Sequence, residues 1–339
     1  MKQFTSFAIL LCLALSTAAY SQEKLPIRPK PAAERPLSSP AESETLGMLP
    51  SIADPSPEDL VFTISKQVDE VNLILSVTDA RGRFVDNLTA DDLKLLDNHK
   101  SPEKWNYFQA RTNLPLSVIL AVDISSSVRD RLQFEQKAAS TFLKHILRKE
   151  TDEAGIVAFG STVQEKTTGM SSDVNALDAT IRSLQAGGET AMYDAVVLAS
   201  HRLRAAKKRA AIRTVIILIT DGVDTASKGT LKAAEEAAIR SEAAIFALDA
   251  NSIYETDPKG RLILEKLTRE TGGLVLSARE NSDLKDSFSK IEKILRCQYA
   301  LGYPPPKLEA NGSFRSIEVI SNKPGLHVHA RNGYYAPDK

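Results

Sequence analysis

With 339 residues the chain is longer than a single core usually organises, so one sizeable domain plus a smaller unit or a long unstructured stretch is expected. Lysine plus arginine and aspartate plus glutamate balance at 43 each, a formal net charge of zero. That balance gives no field to steer the protein onto phosphate backbones or acidic lipid, and nucleic acid is not expected as a partner.

The chain opens on Lys2, an apolar run over residues 7–15 and the small residues Ser16, Thr17, Ala18 and Ala19. This is the three-part layout of a signal peptide, residues 1–21, with cleavage after Ser21. The apolar run is too short for a permanent anchor, so the mature chain is expected to be exported, periplasmic or extracellular, with no transmembrane segment. Cys12 would leave with the signal, and Cys297, alone in the mature chain, is expected as a small buried hydrophobe rather than a disulfide partner. Residues 22–58 hold eight of the sixteen prolines and few large apolar side chains, the composition of an extended tether.

Residues 59–112 form an N-terminal β segment. Val71, Leu73, Leu75 and Val77 alternate with Asn72, Ile74, Ser76 and Thr78, a strand that ends in the turn Asp79-Ala80-Arg81-Gly82. A short helical turn at Asp91-Asp92 and a second strand follow, closed by a polar turn at 97–100. From 113 to 297 the texture changes to short apolar runs, at 116–122, 155–159, 214–219 and 243–248. Helical stretches at 132–147, 174–184, 192–203 and 231–240 alternate with them, and a further one spans 284–295. Runs that are apolar on both faces indicate a mostly parallel sheet covered on both sides, a doubly wound α/β domain. Residues 298–339 return to β texture at 299–303, 314–320 and 326–328. Neither flank has enough strands to bury two faces, so the two are expected to pair into one small β module.

Ligands of doubly wound folds sit where strands end. The run 116–122 ends in Asp123-Ile124-Ser125-Ser126-Ser127, and the run 214–219 in Thr220-Asp221-Gly222. Between them Gly187-Gly188-Glu189-Thr190 leads into a helix. Asp123, Ser125, Ser127, Thr190 and Asp221 thus offer two carboxylates and three hydroxyls without Cys or His. That set suits a hard cation, Mg²⁺ first, with Mn²⁺ or Ca²⁺ as the alternatives.

Taken with their order and strand-end positions, these residues resemble the metal-ion-dependent adhesion site of von Willebrand factor type A domains, over residues 114–297. The resemblance implies a Rossmann-like fold, direct metal contact by Ser125, Ser127 and Thr190, and contact by Asp123 and Asp221 directly or through water. It also implies a protein partner whose Asp or Glu carboxylate completes the metal shell. The whole layout, through the ending Gly333-Tyr334-Tyr335-Ala336-Pro337, is similar to exported bacterial proteins related to that family.

Each motif has a plainer rival. Asp123 and Ser125 taken singly are good helix caps. Asp194, Asp224 and Asp249 read as turn formers, the run Arg202, Arg204, Lys207, Lys208, Arg209 and Arg213 as a solvated helix face, and His327 with His329 as an exposed strand face. The leading expectation is a non-enzymatic Mg²⁺-dependent adhesion or assembly module. The alternatives are a metal-assisted hydrolase or phosphoryl transferase using Asp123 as nucleophile, or a structural protein with an empty site. No dinucleotide fingerprint or P-loop is present.

Overall fold

Two flanking segments and a central α/β domain interleave in the computed structural model, which describes residues 70–110, 114–207, 212–250, 258–296 and 298–338. The signal peptide, the tether and Cys297 lie outside the described residues, as do Lys208 and Arg209.

The N-terminal flank supplies β1 (Val71–Asp79), β2 (Leu93–Asp97) and β3 (Tyr107–Ala110), and the C-terminal flank β10 (Tyr299–Tyr303), β11 (Phe314–Ser321), β12 (Leu326–Ala330) and β13 (Gly333–Tyr335). They form two antiparallel sheets, β12-β1-β10-β3 and β13-β11-β2. Alternation decides the faces. Val71, Leu73, Leu75 and Val77 of β1 point into a core shared with Leu93 and Leu95 of β2, Tyr299, Leu301 and Tyr303 of β10, and Ile317 of β11. The flanking β module implied by the strand pattern is therefore built from both segments. Strands β3 and β13, short and interrupted by aromatic residues, were not evident from alternation.

Asp97, at the end of β2, is fully buried in this module. Its carboxylate accepts hydrogen bonds from Tyr303 at 3.1 Å and Tyr334 at 2.8 Å, and Arg315 Nη2 lies 2.7 Å away. Every partner comes from the other flank. Burial, and then the nearby Asp97 charge, push both tyrosine hydroxyls above their ordinary titration range.

Between the flanks run β4 (Leu116–Asp123), α1 (Leu132–Ile146), β5 (Glu153–Phe159), β6 (Val163–Glu165), α2 (Val174–Arg182), α3 (Met192–Ala206) and β7 (Arg213–Thr220). They continue as α4 (Leu231–Ser241), β8 (Ala244–Asp249), α5 (Lys259–Thr271), β9 (Val275–Ser277) and α6 (Asn281–Arg296). The sheet order is β6-β5-β4-β7-β8-β9, parallel except for β6. Val118, Leu120 and Val122 face α1, α2 and α6, while Ile119 and Ala121 face α3, α4 and α5. The fold is the doubly wound α/β architecture that the paired apolar runs indicate. Helix α5 was missed because its buried positions, Gly260, Leu264, Leu267, Thr268 and Thr271, are separated by charged residues that mask the period.

Two plainer expectations change. Arg213 is buried at the head of β7 and donates to the Leu295 carbonyl, so it does not belong to a solvated helix face; burial lowers its pKa to about 10. His329 is half-buried on β12 and shares a 3.0 Å hydrogen bond with Thr78, whereas His327 is exposed.

Candidate metal-binding site

All five candidate residues lie at the carboxyl end of the parallel sheet, Asp123 as the last residue of β4 and the other four on loops, with Asp221 directly after β7. Ser125 precedes a single 3₁₀ turn, Ser126–Val128, and its side chain makes no capping bond there. Helix α1 begins only at Leu132, with Arg131 in the capping position. The plain capping role is therefore not what these residues perform.

Their hydroxyls turn toward one another instead. Ser125 Oγ lies 2.9 Å from Ser127 Oγ, and Ser127 Oγ donates to Asp221 Oδ2 at 3.5 Å. Asp123 is fully buried. Its Oδ1 accepts from the Ser125 amide and its Oδ2 from the Thr220 hydroxyl, each at 2.8 Å. Burial pushes its carboxyl above the ordinary range, those hydrogen bonds oppose the shift, and the charge of Asp221 adds to it.

Thr190 is brought to the same rim through its backbone. Gly188 O accepts from Ser126 N at 2.9 Å, which ties its loop to the first serine loop. Thr190 N donates to Thr225 Oγ1 at 3.0 Å, and Thr190 O accepts from the Thr225 and Ala226 amides. The three loops are thus stitched by bonds that leave the Thr190 side chain outside the stitching.

Gly222 makes the last turn possible. It has φ +83°, and a Cβ there would fall 2.5 Å from Gly260 O and 2.8 Å from Leu264 Cγ. Gly222→Ala is expected to destabilise the fold by about 1–3 kcal/mol, read as a lower urea midpoint. An unchanged midpoint would mean that α5 can move away from this loop.

The nearby acidic residues serve structure. Asp224 accepts from Tyr193 N and Ser227, Asp194 from the Lys228 and Gly229 amides, and Asp249 pairs with Arg261 at 2.8 Å. Two residues of the site escaped sequence reasoning. Thr220 stood in the strand-end triplet but was passed over, although its hydroxyl orients Asp123 and accepts from Gly222 N. Glu135 of α1 is buried, feels the charges of Asp123 and Asp221, and has its pKa raised to about 7, chiefly by burial. The signal for Glu135 was a charged residue in the apolar stripe Leu132, Ala139, Phe142 and Ile146.

The donor chemistry fits a hard cation. Oxygen atoms converge, no thiol or imidazole competes, and a positive charge would relieve a buried carboxylate. Among the described residues no group of three or more His, Cys, Asp or Glu side chains is placed to hold a metal, so hydroxyls are needed to complete any shell.

Residues 118–223 match the family model described as von Willebrand factor type A domain. No match was found among curated proteins. Several solved structures are similar. The PilB minor pilin from Streptococcus sanguinis shares 15% identity over 55% of this chain, with TM-score 0.46; the chain covers 62% of the pilin's length. A von Willebrand factor type A structure from Catenulispora acidiphila shares 13% identity over 81% of this chain and 75% of its own, TM-score 0.45. BatB from Bacteroides thetaiotaomicron shares 20% identity over 53% of this chain and 98% of its own, TM-score 0.41.

Proposed function

We propose that this chain is a non-enzymatic, Mg²⁺-dependent protein-binding module, displayed outside the cytoplasm on its proline-rich tether, with a partner's Asp or Glu carboxylate as the outer ligand. The observation that carries the proposal is the convergence of Ser125, Ser127 and Asp221 hydroxyl and carboxylate oxygens beside a buried Asp123. In it, Ser125, Ser127 and Thr190 bind the ion, while Asp123 and Asp221 offset its charge directly or through water. A bound divalent ion would supply an electrostatic anchor for an anion at the open side. Three neutral hydroxyls and two carboxylates leave that attraction intact.

The burial of Asp123 and its two hydrogen bonds speak against the hydrolase alternative, because a nucleophile must reach its substrate. Placement outside the cytoplasm is supported by the signal-like sequence at residues 1–21. Among the described residues no helix is long and apolar enough to cross a membrane.

Thr190→Ala keeps the main-chain bonds that stitch the loops. It is expected to weaken Mg²⁺ by about tenfold or more, roughly 1.4 kcal/mol, with the melting temperature of the metal-stripped protein unchanged. Calorimetric titration of MgCl₂ reads the first quantity and a thermal melt in chelator the second. Equal affinity in the variant and the parent would remove Thr190 from the shell.

A further inference from the structure

Glu135 differs from the other buried polar residues of α1. It is 2% exposed, and neither of its carboxylate oxygens accepts a hydrogen bond among the described residues. Its neighbour Gln136 is also buried, yet donates to the Leu184 carbonyl at 2.8 Å. Glu135 has only the charge of Arg131, whose Nε lies 3.2 Å from Oε1. An ionised carboxylate held this way is costly, because desolvation exceeds what one imperfectly aligned cation returns.

Arg131 links this residue to the rim. Its guanidinium donates to the Ala250 carbonyl at the exit of β8, and the Ala250 amide donates to Thr220 O at 2.9 Å. The Thr220 hydroxyl in turn holds Asp123, and Asp221 is the next residue. The first turn of α1 and both carboxylate-bearing strand exits therefore belong to one chain of contacts.

We propose that Glu135 is a positioning residue of the metal site, a third carboxylate behind the rim that loses its proton when the cation binds and so makes cation affinity depend on pH. The proposal rests on the Mg²⁺ reading given above. The step balances simply: one cation enters, the Glu135 O–H bond breaks, and one proton leaves to solvent.

The charges around Glu135 are these. Arg131 on its own helix favours the carboxylate, whereas Asp123 at the end of β4 and Asp221 beyond β7 oppose it. Helix α2 presents Asp178 to α1, held by Ser140 and Lys144 of α1 and by Arg182 of α2 farther along. Helix α6 contributes Arg296, bonded to the Ile146 carbonyl at the opposite end of α1. With the rim negative, burial holds the Glu135 carboxyl at about 7. A divalent charge at the rim cancels the repulsion from Asp123 and Asp221, which favours the carboxylate.

The test is calorimetric titration of MgCl₂ into the full chain at pH 6, 7 and 8, in two buffers of different ionisation enthalpy. The parent, E135Q, E135D and T190A are compared. The parent is expected to bind about tenfold more tightly at pH 8 than at pH 6, and to release about half a proton per ion at pH 7. E135Q should show a flat profile over this range and release no proton, and E135D should recover part of the slope.

A parent that binds Mg²⁺ with the same affinity at all three pH values, or an E135Q variant that keeps the parental slope, overturns the role of Glu135 and leaves the metal site standing. Absence of binding heat in the parent and T190A alike at pH 8 overturns the metal reading, and this inference with it. If E135Q fails to fold, E135D decides: a pH slope and proton count that both equal the parent's overturn the role of Glu135.

Discussion

Asp97→Ala is expected to lower the unfolding free energy by about 3–5 kcal/mol, the range for removing one partner of a buried ion pair. The loss has two parts. Arg315, itself buried, is left with a charge that its remaining contacts at the Pro306 and Lys307 carbonyls do not neutralise. The Tyr303 and Tyr334 hydroxyls lose their acceptor inside the core. Urea unfolding of the parent and the variant measures the total, and a cycle with Arg315→Ala separates the parts, since the double variant no longer carries the orphaned guanidinium. A loss below about 1 kcal/mol would mean that the sandwich rearranges to admit water at this point.

Glu135→Gln is expected to stabilise the metal-free protein, and only on the alkaline side. The folded-state pKa of Glu135, about 7, stands above the 4.5 of a solvated glutamate. Stability linked to this group is therefore fully present below about pH 4.5 and is lost as pH rises through 7. The shift corresponds to about 3 kcal/mol by pH 8. Glutamine does not titrate and escapes the loss, so in chelator at pH 8 the variant should melt roughly 6–12 °C above the parent, with the gap closing near pH 5. Equal melting temperatures at pH 8 would show that the parent solvates the carboxylate by opening the first turn of α1. A residue kept at such a cost in the empty protein is understandable if the occupied site uses its charge.

The sequence carried some of these features and not others, for physical reasons. Strands β4, β5, β7 and β8 of the α/β domain were legible because each is apolar on both faces, as Leu116 to Val122 shows, whereas the three-residue edge strands β6 and β9 are only partly buried and left no such run. The candidate loops were legible because Asp123, Ser125, Ser127 and Asp221 are polar residues placed where apolar runs stop. Thr190 could be placed only through its company, a Gly-Gly turn before a helix. Asp97 looked like one residue of a polar turn, since nothing near it announces partners at Tyr303, Arg315 and Tyr334. Glu135 was hidden by a rule that usually holds, that charged residues on an amphipathic helix face water. Its register with Leu132 and Ala139 was the contrary sign.

The pairing of the β module has a consequence for how the chain is made. Among the described residues β1 forms ladders only with β10 and β12, β2 only with β11, and β3 only with β10. No N-terminal strand pairs with another, and Val71 meets its partner at Tyr303. At about 5–20 residues per second a ribosome needs roughly 10–45 s to deliver the second half of that ladder. Meanwhile the apolar face of β1 and its unpaired edge are exposed, a hazard for association between nascent chains. The α/β domain, whose ladders join strands much nearer in sequence, can fold in that interval and bring the two flanks within reach. Contact order thus makes the central domain the template on which the outer module closes last.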